Sequence, residues 1–339
     1  MYDFKTIKCS HISEIPIQVR CKGPNGLGPE WIPLKEDWSN RWCTLPLNYT
    51  MDFANRIASF KSRDTDVFLV SSAKTGSTWM LELSWLLLNN LDYQKAQQSY
   101  GMVRSPYLDY YLNITCLKCR HSGVDSMWKA DSIDACEQIQ DNPRLIKSHL
   151  PAHMLPREIF THGRKTIYVA RNPKDVVVST YHFFSDIKYW KCSIDEFVDD
   201  FVADKTPFSS YWGHLVDFYR LRNEKNIFFV TYEEMKRDLK GVVRRLSRFL
   251  NFKDLTDNEM EKLLSHLSFE NMKKSQFGNH KHFLKTFHET TDNFEFLRRG
   301  IIGSYKDELS ADSINKINTK SRLFFDKYGI IESDIFGIV

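Results

Sequence analysis

DVFLVSSAKTGSTWMLEL, residues 66–83, is the stretch on which the reading of the whole chain turns. Its first half is a short apolar run of the kind a strand buried on both faces requires. Residues 78–91 then form a helical stretch that is apolar on nearly every side, so that helix must be buried. Between the two lies a turn carrying Lys74, Thr75, Gly76, Ser77 and Thr78. A helix N-terminus presents unpaired backbone N–H groups and a positive dipole end, and a lysine with three hydroxyls beside it makes a cradle for an anion. The same residues also suit an ordinary strand-to-helix turn with exposed hydroxyls. The lysine precedes the glycine, so the GxxxxGK[ST] pattern of triphosphate-binding loops is absent.

Outward from this unit, PRLIKSH (143–149), KTIYVAR (165–171) and NIFFVTY (226–232) read as further strands, each followed by a helical stretch. Asn172 can cap the helix after the second of these, with Pro173 at its first position. Residues 208–221, 233–250, 256–265 and 310–328 also read as helices. Strands alternating with helices imply an α/β fold, a single domain whose parallel sheet is flanked by helices. In such sheets ligands bind at the carboxyl ends of the strands. Residues 1–60 carry turn signals such as KGPNGLGPEWIP and little periodicity. They are expected to form an N-terminal arm packing on a main domain at 61–339.

The remaining polar clusters fall at those strand ends. KSHLP places Lys147 and His149 on one side of an extended chain; a histidine can take a proton from a hydroxyl, and a lysine can stabilise developing negative charge. YVARNPKDVVVSTYHFF supplies Arg171, suited to a phosphate fork, and Ser179 two helical turns on. A structural ion pair between Arg171 and Asp175 fits equally. FLRRGIIGSYKDEL sets Arg298 and Arg299 before Gly300. SPYLDYYLN, with Tyr107, Tyr110 and Tyr111, could wall an apolar pocket or pack in the core. CLKCRH offers Cys116, Cys119 and His121, with Cys136 further on, but no second well-spaced pair, so no metal site is expected.

A net charge of +4 suits a small anionic ligand and does not support nucleic-acid binding. No basic-then-apolar leader opens the chain, and the most apolar segment, WMLELSWLLLNNL, is interrupted by Glu82 and too short to span a bilayer. An odd count of seven cysteines points to reduced thiols and a cytoplasmic address, which makes the sequons at Asn48 and Asn113 chance matches.

Taken together, KTGSTW, KSHLP, YVARNPKDVVVSTYHF, TYEEMKRD and RRGIIGSYK, in this order, resemble the cytosolic sulfotransferases, from about residue 64 to 328. The long N-terminal arm is more similar to that of insect members. The resemblance implies a P-loop-kinase-like sulfotransferase fold and transfer of a sulfuryl group from 3′-phosphoadenosine 5′-phosphosulfate (PAPS) to a hydroxyl of a small apolar acceptor such as a phenol, alcohol, steroid or retinoid. Adenosine 3′,5′-bisphosphate is then the other product, and no metal is required. It assigns the 5′-phosphosulfate to Lys74, Thr75, Gly76, Ser77 and Thr78. The adenine goes to Trp79, Tyr232, Ser268 and Phe269, and the 3′-phosphate to Arg171, Ser179, Arg298, Arg299 and Gly300. His149 is the implied general base, Lys74 and Lys147 assist at the transition state, and Phe183 and Tyr107 line the acceptor pocket.

The chain departs from the family pattern in three places. Gly303-Ser304-Tyr305-Lys306 stands for the usual Gly-Asp-Trp-Lys, and Leu267-Ser268-Phe269 for Thr-Ser-Phe. The KxxxTVxxxE dimer motif is absent between residues 273 and 299, so a dimer of the usual family kind is not expected. Two other chemistries compete: elimination through a sulfated intermediate, as in a retinol-dehydratase-like enzyme, and an ATP-dependent small-molecule kinase, against which the missing GxxxxGK[ST] argues.

Overall fold

The computed structural model describes residues 2–12, 16–21, 23, 28–34, 36–46, 49–109 and 132–337. Asn48, Tyr110, Tyr111, Asn113, Cys116, Cys119 and His121 lie outside the described residues. Seven strands are present among those described: β1 (Tyr2–Thr6), β2 (Ile17–Cys21), β3 (Cys43–Leu45), β4 (Val67–Val70), β5 (Leu145–Ser148), β6 (Lys165–Ala170) and β7 (Ile227–Thr231).

β4 to β7 form one parallel sheet in the order β5-β4-β6-β7, with Val67 opposite both Leu145 and Lys165 and Ala170 opposite Thr231. Successive side chains of a strand point to opposite faces. Accordingly Phe68, Val70, Ile146, Tyr168 and Ala170 belong to one hydrophobic cluster. Val67, Leu69, Leu145, Ile167 and Val169 belong to the cluster on the other face. The helix Ser77–Leu88 packs into this second cluster and is buried around almost its whole circumference. Its Glu82 is no exception to burial, because Arg104 donates to it at 2.8 Å and His266 meets it at 2.9 Å.

Residues 1–60 are more ordered than the sequence suggests. β1, β2 and β3 make an antiparallel sheet, a helix runs over Met51–Ala58, and Val19, Cys43 and Leu45 join the first hydrophobic cluster. The strands are only three to five residues long, so no periodicity could accumulate. The outer edge of β3 is met by backbone bonds between Thr44 and residues 208 and 209. Those two residues are therefore not helical, and the helix expected from 208 begins at Tyr211, with Ser210 as its cap. The helix expected over 233–250 is two, Tyr232–Arg237 and Leu239–Leu250, because Asp238 leaves the helical conformation to accept from Gly241 N–H at 2.8 Å. Asn172 and Pro173 start the helix Pro173–Asp186 as their types dictate. Among the described residues no helix is long and apolar enough to cross a membrane.

Candidate active site

All four polar clusters converge on the carboxyl edge of the parallel sheet, where they line one cavity of about 470 Å³. The loop after β4 owes its shape to two residues in the left-handed region, Lys74 at φ 62° and Gly76 at φ 95°. A Cβ on Gly76 would stand 2.7 Å from the Tyr232 ring, so only glycine lets the loop lie against that aromatic. Ser77 and Thr78 open the helix and line the cavity. Thr75 does not line it: the residue is buried, and its hydroxyl donates to the Ser72 carbonyl at 3.0 Å, closing the turn from behind.

The Lys74 ammonium sits 4.0 Å from the Phe296 ring centre and 4.6 Å from that of Phe183, and donates to the Phe296 carbonyl at 3.4 Å. Burial, then the nearby Arg171 and Arg298, push it down to about 7. A half-buried cation with Arg171 and Arg298 nearby, and no carboxylate in ion-pair reach among the described residues, is a place for an anion.

At the end of β5, Lys147 is 1 % exposed and donates to the Tyr107 hydroxyl. Burial pushes Lys147 to about 7 as well, with Lys74 adding to the depression and Asp109 opposing it. His149 holds the more informative geometry. Its Nδ1 lies 2.8 Å from the Ser71 carbonyl, which can only accept, so Nδ1 carries the proton and Nε2 keeps a free lone pair. Burial and the Lys147 charge hold the imidazole well below the ordinary histidine range, hence neutral. The backbone around it is pinned too. His149 N–H donates to Asp109 at 2.9 Å, and the His149 carbonyl accepts from His214 at 3.3 Å.

At the end of β6, Arg171 donates to the Lys74 and Ile301 carbonyls, each at 3.3 Å, and stacks its guanidinium 4.4 Å from the Tyr232 ring centre. Its Nε has no partner among the described residues. Asp175 stands at 4.0 Å, so the ion pair is only marginal. The Asp175 carboxylate is instead occupied by Gly303 N–H (2.7 Å), Ser304 Oγ (3.0 Å) and Tyr305 N–H (3.2 Å). The Ser304 hydroxyl thus supplies one of the three bonds that anchor the loop. Ser179 lines the cavity from the next helix.

Arg298, Arg299 and Gly300 line it from the anchored loop. Both arginines also hold acids, Arg298 pairing with Glu308 at 2.7 Å and Arg299 with Asp307 at 2.7 Å. Gly300 has φ 66°, and a Cβ there would come within 2.3 Å of the Phe269 ring. Trp79, Tyr232 and Phe269 form an aromatic wall, with Trp79 Nε1 donating to the Leu267 carbonyl at 2.8 Å. Ser268 is not on that wall; its hydroxyl caps the helix Phe269–Lys274 by accepting from Asn271 N–H at 3.3 Å. Phe183 and Tyr107 line the other half of the cavity, with Met102, Phe208, Leu284, Phe296 and His280. None of the last five was singled out from sequence, because single apolar residues and a lone histidine carry no local signal.

The sulfotransferase-domain family model matches residues 64–327. The chain belongs to the sulfotransferase family. This sulfotransferase is 34% identical over 282 residues to luciferin sulfotransferase of Photinus pyralis, covering 81% of this chain and 75% of that one. It is 33% identical over 267 residues to sulfotransferase 1B1 of Canis lupus familiaris, covering 77% and 84%. Its fold matches that of retinol dehydratase, whose crystal structure contains retinol and adenosine 3′,5′-bisphosphate (PAP), with a TM-score of 0.82 at 21% identity over 97% of this chain and 98% of that one. The family is that of enzymes that draw their sulfuryl group from PAPS, and the P-loop-like parallel sheet is its fold.

Proposed function

We propose that the enzyme transfers the sulfuryl group of PAPS to a hydroxyl of a small, mainly apolar acceptor, with His149 as general base. The observation that carries this reading is the Ser71 carbonyl at His149 Nδ1, which leaves Nε2 as the basic nitrogen of a residue lining the cavity.

PAPS, when bound, supplies an activated sulfuryl group on a phosphosulfate anhydride. The residues present suit it: the half-buried Lys74 without a counter-anion and the unpartnered Arg171 Nε both call for negative charge. The turn from Lys74 to Thr78 would hold the 5′ end, with Thr75 shaping the turn. Trp79, Tyr232 and Phe269 would flank the adenine, and Ser268 would hold Phe269 in place. Arg171, Ser179, Arg298, Arg299 and the Gly300 backbone would grip the 3′-phosphate. His149 Nε2 takes the acceptor proton as the oxygen attacks sulfur. Lys74 neutralises the charge that grows on the departing bridge oxygen, and Lys147, held by Tyr107, donates towards the sulfuryl oxygens. Fixed cations and positioning carry such a transfer. The apolar half of the cavity, with Phe183, Tyr107, Phe208 and Leu284, fits a ring-bearing acceptor.

The test is turnover with PAPS across phenols, catechols, steroids and retinoids, with products weighed by mass spectrometry. Acceptors gaining a sulfuryl group support the reading. Products that lose water would instead establish elimination, and turnover only with ATP and Mg²⁺ would overturn the reading.

A further inference from the structure

His280 lines the acceptor half of the cavity and is 2 % exposed. It occupies the cap position of the helix Lys281–Phe287, yet its side chain makes no capping bond. Its Nε2 is buried without a partner among the described residues. The ring leans on Phe296, with centroids 5.0 Å apart, and lies 6.5 Å from Tyr107, contacts a phenylalanine would make as well. Capping, pairing and packing therefore leave the imidazole unexplained, and an unsatisfied buried polar group is destabilising. Burial, together with Lys147 and Lys74, holds it well below the ordinary histidine range, so it is neutral, with one donor and one acceptor nitrogen. Tyr107 packs against His149, at 5.6 Å between centroids, as well as against His280, and the Tyr107 hydroxyl is already engaged by Lys147. His149, His280 and His288 all line the cavity, and the transfer reaction uses only His149.

We propose that His280 is a specificity-determining residue that hydrogen-bonds a second oxygen on the acceptor, so that the preferred acceptors are ring compounds bearing a hydroxyl or carbonyl besides the hydroxyl that is sulfonated. The inference rests on the sulfonation reading above. It follows from the imidazole's chemistry: either tautomer can serve an oxygen, and in the apolar surroundings of Met102, Phe296 and Leu284 the bond discriminates more strongly than it would in water.

The test compares naphthol with a panel of dihydroxynaphthalene isomers, by calorimetric affinity in the presence of PAP and by kcat/KM with PAPS. Wild-type enzyme is expected to prefer at least one diol isomer by about tenfold, and His280→Phe to reduce that preference to within about threefold, the range of a single neutral hydrogen bond. His280→Gln, which restores a donor and an acceptor, should recover part of the preference; a packing role alone would not. A diol preference that survives in His280→Phe, or that wild-type enzyme shows with no isomer, overturns the inference while leaving sulfonation standing. If no phenol, catechol, steroid or retinoid is sulfonated although PAP binds, the sulfonation reading fails, and the inference with it.

Discussion

Lys74 makes the affinity for nucleotide depend on pH in a direction that can be worked out in advance. In the free enzyme its ammonium is pushed to about 7, mainly by burial and then by Arg171 and Arg298. A bound 5′-phosphate supplies the missing negative charge and returns the lysine towards its ordinary 10.5. The nucleotide therefore binds the protonated form, and binding must be accompanied by proton uptake once the free lysine has lost its proton. Affinity should be greatest near pH 7 and fall as pH rises, by up to about tenfold per unit, or roughly 25-fold between about pH 7.5 and 9. Below about pH 6.5 protonation of the nucleotide phosphates opposes binding instead. PAP is the suitable ligand, because it lacks the sulfuryl group that would engage Lys147. Calorimetry in two buffers of different ionisation enthalpy should show uptake approaching one proton near pH 8.5. Lys74→Arg, whose guanidinium stays charged, should flatten the profile. A PAP affinity that does not change between pH 7.5 and 9, with no proton uptake, would refute the placement of Lys74 as an anion-seeking cation.

Three further outcomes are expected. Gly76→Ala should weaken PAP binding at least tenfold and lower stability by about 1–3 kcal/mol, since the new methyl meets Tyr232 and the backbone must keep its left-handed turn; calorimetry and thermal unfolding measure both. Glu308→Gln frees Arg298 from its carboxylate and should tighten PAP binding a few-fold, and adenosine 5′-phosphate, lacking the 3′-phosphate, should not share the gain. PAP should bind more than about tenfold tighter than ATP, because one charge-assisted grip around Arg171 has no counterpart for a γ-phosphate.

Much of this organisation was legible in the residues themselves. β4 to β7 announce themselves as apolar runs bounded by polar strand ends, and Asn172-Pro173 marks a helix start by local chemistry alone. The N-terminal strands were not legible, because β2 is held by partners on β1 and β3 and the edge of β3 by residues 208 and 209 far along the chain. The break at Asp238 depends on one side chain choosing a cap over continuation of the helix. In the site, Lys74, Lys147, His149 and Arg171 were readable because each lies at or shortly beyond the end of a strand. Asp109, which pins the His149 backbone, and His280 were not, since only folding brings the one beside His149 and the other to the cavity. Thr75 was picked for its hydroxyl and Ser268 through the family resemblance; the Thr75 hydroxyl closes a turn and the Ser268 hydroxyl caps a helix. The acids that hold Arg298 and Arg299 lie eight to ten residues onward, at a separation where sequence gives no pairing signal.

The most direct measurement is the split between chemistry and nucleotide binding in His149→Ala. Because Nε2 is the basic nitrogen and Nδ1 is tied to Ser71, loss of the imidazole should lower kcat for sulfuryl transfer by about 10²–10⁴-fold. The Kd for PAP, governed by Lys74 and Arg171, should stay within about twofold. A His149→Ala enzyme that transfers sulfuryl groups at the wild-type rate would contradict the account.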